Sequence, residues 1–579
     1  MIWKRKKMKV VLDLEADGLT PTKIWCIVCK DIETDKVYTW EPDDVKDFHK
    51  FAEDITTWIG HNLIGYDLPV LRRLLGINVP LDRVVDTLVV SRLLDSQRGS
   101  HSLAKWGERL EYPKVEHDEW DRYSPEMLHR CTEDVHLNQL VFDKLLAEKK
   151  EKKTPQSVFR GEHRIAEIVE DMRMGGILFD ERGAQLLLAT LSQRKGELDD
   201  ELLKTFVSLP SFKRLVTPKY KKDGTLSAVG LKGFLPSQIS GNPFSYVTWP
   251  EPNLNSQAFL VRHLQNAGWV PTVFTDAGNA RLTEWVLEAA AIKFPKAKQL
   301  MEWDLVDRRI TMVNSWIDAS DNKDRIHGSV NTIGAKTHRM SHWGPNMAQV
   351  PASDKPYGKD CRSLFTVPAG YRLLGTDASG IQLRVLAHYT GDKDYITEVC
   401  DGDIHTANQK AGGFKTRDIA KTFIYAWLLG AGAPKIGEIM GESAKEGGKA
   451  RKQFLDNTPA LKRAKYKYEK LAERGHILAL DNRWVPIVDS YYTLSVLLQS
   501  GEAILMKKAA EIWTEKAKHL DWNLVAWVHD EWQTEVKEEH AEELGRLQVD
   551  AIKEAGVEFN FKCPLDGEYK IGYNWEETH

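Results

Sequence analysis

A chain of 579 residues, 42% of them hydrophobic, is long enough for roughly three to five domains with cores of their own. No apolar run approaches the ~20 residues of a membrane span, which excludes a helical membrane protein. The net charge of −4 neither favours nor excludes a polyanionic partner, because acidic sites offset a local basic surface in the total. The basic N-terminus, MIWKRKKMKVVLDLE, lacks the long apolar stretch and small-residue cleavage site of a signal peptide, and KVVLDLE reads as a strand. Six cysteines in a chain this long do not make a disulfide framework. Cys26 and Cys29 form a CxxC inside the strand-like IWCIVCK, where i and i+3 point to opposite faces and cannot easily share a metal. All six read as reduced thiols of a cytosolic protein.

The first 150 or so residues alternate short strands with helices. In VVLDLEADGL, Asp13 and Glu15 are two apart on a strand and point the same way, a pair that suits a divalent cation because hard cations take oxygen ligands. Alone, the pair is equally a strand end with two solvated acids. A Gly-His-Asn loop then leads into Asp67 and a helix, and PEMLHRCTEDVHLNQLVFDKLL reads as an amphipathic helix carrying His129 and Asp134. These four acids, in this order, resemble the 3′–5′ exonuclease domain of the four-carboxylate superfamily, with its RNase H-like fold. The resemblance implies two metals held by Asp13, Glu15, Asp67 and Asp134, which activate a water and stabilise the leaving 3′ oxygen. Proofreading domains fused to polymerases usually carry a tyrosine four residues before the last aspartate; here that position is Arg130. His129, five before it, matches the histidine subclass, in which the imidazole takes the proton from the attacking water. The other reading is a chance surface histidine and a weak exonuclease.

KKEKKT, from Lys149 to Thr154, reads as a charged linker, followed by a long helical stretch that ends in Gly-Gly and a short strand. A second long amphipathic helix runs through GAQLLLATLSQRKGELDDELL. From Ser208 to Pro252 the chain turns irregular and rich in Pro, Gly and Lys, a length more often functional than idle. Helices resume at Ser256 and continue to about Ile317. The segment reads as a helical thumb that grips duplex backbone through Lys213, Arg214 and Lys219, although a solvated loop explains any single lysine as well.

In the C-terminal half, a strand YRLLGTD delivers Asp377 at its end, and QLRVLAHY reads as a helix. GDIHTANQ brings His405. TRDIAKTFIYAWLLGAG reads as a helix with Thr416 as N-cap and Gly430 and Gly432 as stops. Arg417, Lys421 and Tyr425 fall at i, i+4 and i+8 on one face, which suits a nucleoside triphosphate: cations for the phosphates, a ring for the base. By itself the helix is equally an amphipathic surface helix with solvated cations. DWNLVAWVHDEWQTEV reads as two strands with a tight turn at His529, Asp530 and Glu531. Adjacent acids at such a tip are costly unless a positive group sits between them. Asp377 and Asp530, on different strands, suit two Mg²⁺ about 3.5–4 Å apart.

TDASGIQLR, RDIAKTFIYAWLLGAG and VHDE, in that order, resemble motifs A, B and C of family A DNA polymerases, those of short-tailed phages above all. The resemblance implies an α/β multidomain chain: a 3′–5′ exonuclease domain over 1–150, a thumb over 151–330 with its loop at 208–252, a palm of antiparallel sheet over 331–400 and 481–579, and fingers over 401–480. It implies a template-directed DNA polymerase with proofreading, acting in phage DNA replication in the cytoplasm of a bacterial host. Asp377 and Asp530 would bind both metals, the Ala378 carbonyl assisting and Glu531 supporting at longer range. Arg417, Lys421 and His405 would neutralise phosphates, Lys421 also protonating pyrophosphate. Tyr425 would stack near the incoming sugar and base and, being tyrosine, tolerate dideoxynucleotides. Arg339 and Gln499 would read minor-groove acceptors, and His529 would sit against the primer terminus. Two Mg²⁺ are implied at each of the two sites, with Mn²⁺ able to substitute. The implied partners are primer-template DNA, dNTPs and a replicative helicase-primase, with no membrane.

Two departures from the family are coupled. Motif A normally has glutamate where this chain has Gln382, and motif B has tyrosine where it has Leu429; in relatives those side chains hydrogen-bond. An amide beside leucine needs no phenolic partner, and Gln382 keeps the bulk of a steric gate against a ribose 2′-hydroxyl, with somewhat relaxed sugar discrimination. Phage relatives carry a thioredoxin-capturing insertion in the thumb; Ser208 to Pro252 is short for that, and no thioredoxin dependence is expected. An exonuclease-weak polymerase, a nuclease with a degenerate polymerase and a non-catalytic DNA-binding protein are the alternatives. The intact acids, Arg417 and Lys421 argue against the last two.

Overall fold

The structure, a computed structural model, describes residues 7–227, 234, 243–275 and 277–579. It divides into two compact units, Met1–Asp180 with Ala319–His579, and Glu181–Asp318. Among the described residues no helix is long and apolar enough to cross a membrane.

The N-terminal part of the larger unit is built on a mixed five-stranded sheet. Its central strand, Met8–Ala16, pairs antiparallel with Ile24–Asp31 and parallel with Ile55–Gly60; Val37–Trp40 and Val84–Asp86 are the outer strands. The central strand is covered on both faces, which is why VVLDL reads as an almost unbroken apolar run. Val10, Leu12 and Leu14 join one core cluster, while Val11 joins another with Met127, Cys131 and Val135 of the helix Pro125–Lys152. Asp13 and Glu15 share the alternation of Val11 and so face that helix. Cys29 lies in the first cluster and Cys26 in the second, on opposite faces as their spacing requires. All six cysteines are free thiols.

The helix Pro125–Lys152 is capped by Ser124, whose hydroxyl accepts from the Met127 amide at 3.2 Å. It continues through Lys149–Lys152, so most of the run read as a linker is the last turn of a helix. The break is one residue at positive φ, Lys153, before Pro155 opens the helix Gln156–Gly175. That helix packs on the strand Trp522–Val528 and the helix Thr493–Lys516. It therefore belongs to the larger unit, and the smaller one spans Glu181–Asp318.

The C-terminal half carries a four-stranded antiparallel sheet in the order Trp522–Val528, Glu531–Lys537, Tyr371–Ala378, Gly567–Gly572. The helices Thr493–Lys516 and Ala541–Glu558 pack together beside it. Trp513, Trp527 and Trp532 are all but fully buried in that core. Cutting any one of them to alanine costs on the order of 3–5 kcal/mol.

The smaller unit holds the helices Glu181–Leu202, Gln257–Asn266, Glu284–Ala291 and Lys296–Ala319. Trp303 Nε1 donates to Asp199 at 2.6 Å and Arg194 pairs with Glu302 at 2.7 Å, tying the first helix to the last. The stretch expected to be irregular contains an antiparallel pair, Ser211–Val216 with Phe244–Thr248. Lys213 and Arg214 lie on its first strand and, like Lys219, are exposed. Within 208–252, positions 228–233 and 235–242 lie outside the described residues.

Candidate active sites

The strand Tyr371–Ala378 ends where the hairpin of the strands Trp522–Val528 and Glu531–Lys537 turns. Asp377 stands directly opposite Glu531, and the Ala378 amide donates to the Asp530 carbonyl at 3.1 Å. His529, at φ +57°, makes the tight turn. Gly380, at φ +59°, lets the first strand turn at once into the helix Ile381–Thr390. Asp377 and Asp530 are thereby held side by side. Burial, then Glu531, Glu568 and Glu502, push Asp377 up to about 7. Burial, then Glu502 and Asp377, push Asp530 up to about 8. Crowded, desolvated carboxylates of this kind hold protons until a cation replaces them.

Glu531 behaves differently. Burial alone would raise it, but His579, Gln533 and Trp575 hold it below the ordinary glutamate range. Gln533 Nε2 donates to it at 2.6 Å and Trp575 Nε1 at 2.7 Å, with His579 Nδ1 at 3.2 Å. Its carboxylate is spent on the C-terminal segment and its own strand.

The helix Arg417–Leu428 begins at Thr416, whose hydroxyl accepts from the Ile419 amide at 3.2 Å, and is followed by Gly430 at φ +88°. Arg417 pairs with Asp403 at 2.8 and 3.0 Å, Lys421 is exposed, and Tyr425 is half-buried. Burial, then the charges of Asp530 and Asp377, raise the Tyr425 phenol. The His405 ring lies 6.0 Å from that of Tyr425; burial, then Arg417 and Lys421, lower its pKa. Arg417, Lys421 and Tyr425 fall on one side of this helix, with the Arg417 guanidinium taken up by Asp403 and the charges of the two aspartates reaching Tyr425.

Gln382, expected to need no phenolic partner, has a carboxylate partner. Its Nε2 donates to Glu502 Oε2 at 3.0 Å, and Leu429 is 51% exposed. The amide is satisfied by a carboxylate from the helix Thr493–Lys516, not merely spared a phenol. Arg339 pairs with the same Glu502 oxygen, and the charges of Arg339 and Glu502 both act on His529. Gln499 lies one turn before Glu502 on the same helix face and donates to Ser495 Oγ at 3.1 Å. Glu502 escapes a sequence reading because a glutamate inside a helix is ordinarily solvated; its spacing from Gln499 was the only signal.

The four N-terminal acids also converge. The Leu14 amide donates to Asp67 Oδ1 at 3.2 Å, tying the first residue of the helix Asp67–Leu75 to the central strand. Burial, then Glu15 and Asp134, drive Asp13 well above its usual range; burial, then Asp13, does the same to Asp67. Glu15 and Asp134 are also raised, by burial first, but less far because cations oppose it. Lys114 Nζ lies 2.6 Å from Asp134, and Arg130 reaches Glu15 at 3.2 Å and Asp134 at 3.8 Å. Cys131 joins the group, its ligand atom and those of Asp13 and Glu15 all within 4.8 Å of one another. His129 is exposed, and it is Arg130 that turns onto the acids. Lys114 and Cys131 carry no motif and went unread in the sequence.

Residues 242–577, more than half of the chain, match the family model of DNA polymerase family A. The DNA-directed DNA polymerases of Enterobacteria phage T3 and Escherichia phage T7 are each 30% identical to this chain, 98% of which aligns with 100% of theirs. The thermostable DNA polymerase I of Thermus aquaticus is 26% identical across 58% of this chain and 42% of its own. The POL domain of Pol1 from M. smegmatis, solved in complex with DNA primer-template and dNTP, shares the fold: TM-score 0.80 at 17% identity, covering 99% of this chain and 96% of that one. With Asp377 at the end of one strand and Asp530 in the hairpin turn beside it, and with relatives aligned end to end, the chain belongs to DNA polymerase family A.

Proposed function

We propose that this chain copies DNA by extending a primer on a template, and edits its product with a separate 3′–5′ exonuclease site. The observation that carries the first activity is Asp377 beside Asp530, with their charges reaching Tyr425 on the helix that also carries Arg417 and Lys421. The primer 3′ oxygen attacks the α-phosphorus of a dNTP, and the bond to pyrophosphate breaks. Asp377 and Asp530, with the Ala378 carbonyl, fit a pair of Mg²⁺ because they offer crowded oxygen ligands that burial leaves short of compensating charge. Asp13, Glu15, Asp67 and Asp134 fit the same ions at the editing site. Divalent cations bound at these sites lower the pKa of the attacking oxygen and take up charge on the leaving one.

The remaining roles fall to side chains. Arg417, Lys421 and His405 hold the triphosphate, and Lys421 gives its proton to departing pyrophosphate. Tyr425 packs against sugar and base. Arg339 and Gln499 meet the minor-groove acceptors, His529 the primer end, and Gln382 the sugar. Glu531 braces the hairpin through Trp575 and Gln533. At the editing site the spacing of His129 to Asp134 assigns it the proton of the attacking water, while Arg130 holds Glu15.

The strand order and the central strand flanked by one parallel and one antiparallel neighbour support an RNase H-like reading of the N-terminal sheet. The phage relatives, aligned over their full length, support a role in phage replication inside a bacterial host; a replicative helicase-primase as partner belongs to the same proposal. A primed template with Mg²⁺ and dNTPs tests the proposal. Extension, together with excision of a 3′ mismatch, is expected; degradation without extension, or neither, overturns it.

A further inference from the structure

Glu502 is 1% exposed, yet its carboxylate serves two segments far apart in sequence. Oε2 accepts from Gln382, on the first turn after the Asp377 strand, and from Arg339, between the strands Ser329–Asn331 and Ser341–Trp343. A carboxylate only accepts, so it dictates which end of the Gln382 amide turns inward: the NH₂ faces Glu502 and Oε1 faces away. Arg339 keeps a buried Nε with no protein partner, a donor left over once Glu502 is satisfied. An acid this deeply buried is a poor choice for stability alone, since an apolar side chain of similar volume does as well or better.

We propose that Glu502 is a positioning residue for nucleotide addition, a single anchor that locks the amide of Gln382 and the guanidinium of Arg339 together at the mouth of the nucleotide site. The inference rests on the polymerase reading above and adds to it a residue that assigns the orientation of both neighbours. Sugar selection through Gln382 and inspection of the new pair through Arg339 are then coupled, because both side chains hang from the same oxygen.

Single-nucleotide incorporation of a dNTP and of its rNTP counterpart is compared in the parent, Glu502→Gln, and the reversed pair Gln382→Glu/Glu502→Gln. In Glu502→Gln the amide is free to flip and Arg339 loses its charge partner. Incorporation efficiency is expected to fall roughly 10- to 100-fold, the scale of a slightly misplaced site, and the dNTP-over-rNTP ratio by about 5-fold. The reversed pair restores one carboxylate, one amide and one guanidinium, and is expected to recover both quantities to within about 3-fold of the parent. Thermal unfolding of each variant separates misplacement from misfolding. Parent-like efficiency and sugar ratio in Glu502→Gln overturn the proposal. So does a loss that follows the fall in Tm and is not recovered by the reversed pair. A parent that extends no primer overturns the polymerase reading instead.

Discussion

The Ala378 amide donates to the Asp530 carbonyl at 3.1 Å, so one backbone hydrogen bond fixes the spacing of two acids from distant parts of the chain. Sheet register, rather than flexible side chains, sets that geometry: Asp377 opposite Glu531 puts Asp530 at the turn beside it. The proposed chemistry depends on that register.

Mg²⁺ dependence is expected to vary with pH. Asp377 and Asp530, raised to about 7 and about 8, keep protons well above the ordinary carboxylate range when no cation is bound. An incoming cation displaces them, so its apparent affinity rises with pH to about 8 and then levels off. The folded state also binds more protons than the unfolded chain, so these two groups make the cation-free fold less stable as pH rises from about 4 to about 8. Extension titrated with Mg²⁺ between about pH 6.5 and 8.5 should show half-saturation falling several-fold. A requirement that does not change with pH contradicts this.

Gln382→Ala removes both the bulk and the oxygen that faces away from Glu502. The dNTP-over-rNTP ratio is expected to fall by about 10-fold with the primer still extended, the order expected for losing one contact made to a single sugar position. Competition between the two nucleotides reads this directly, and unchanged discrimination shows that another group excludes the 2′-hydroxyl.

Among the four N-terminal acids, Lys114 and Arg130 already compensate Asp134 and Glu15. Lys114→Met deepens the negative potential there, and the Mg²⁺ needed for half-maximal exonuclease should fall by about 3- to 10-fold. His129→Ala is expected to slow excision by about 100-fold at saturating Mg²⁺, the usual loss on removing a general base. An unaltered rate in that variant assigns the proton to solvent.

Away from both sites, Glu162 is buried between Lys507 at 2.9 Å and Arg483 at 2.5 Å. Burial would raise it, but the two cations hold it down at about 2. The folded value is depressed, so the stability it confers is complete above its ordinary value of 4.5 and is lost as pH falls towards 2. Glutamine mimics the protonated acid, so the stability gap between parent and Glu162→Gln should narrow below about pH 5 in denaturant titrations. A constant gap shows that Glu162 is not held ionised by this pair.

Much of this was legible because periodicity and spacing are local. Asp13 and Glu15 on one strand face, the Thr416 cap, the Arg417, Lys421 and Tyr425 row and the hairpin at Asp530 all follow from the 2- and 3.6-residue repeats. What the sequence hid was mostly long-range. Glu502 meets Gln382 and Arg339 only after three segments fold together, and Lys114 meets Asp134 across a loop. The lysine run at 149–152 misled because charge argues for solvent, and a helix end is as solvated as a linker. The strand pair Ser211–Val216 with Phe244–Thr248 was missed because most of its side chains are only half-buried or exposed, which blurs the alternation that marks a strand.

The most direct test of the account is the rate at which Asp377→Asn adds one nucleotide to a bound primer-template, measured beside its digestion of single-stranded DNA. Addition is expected to be slowed by about 1,000-fold or more, with digestion within about 3-fold of the parent, because the two proposed sites would hold their cations separately. Addition within a few-fold of the parent rate would contradict it.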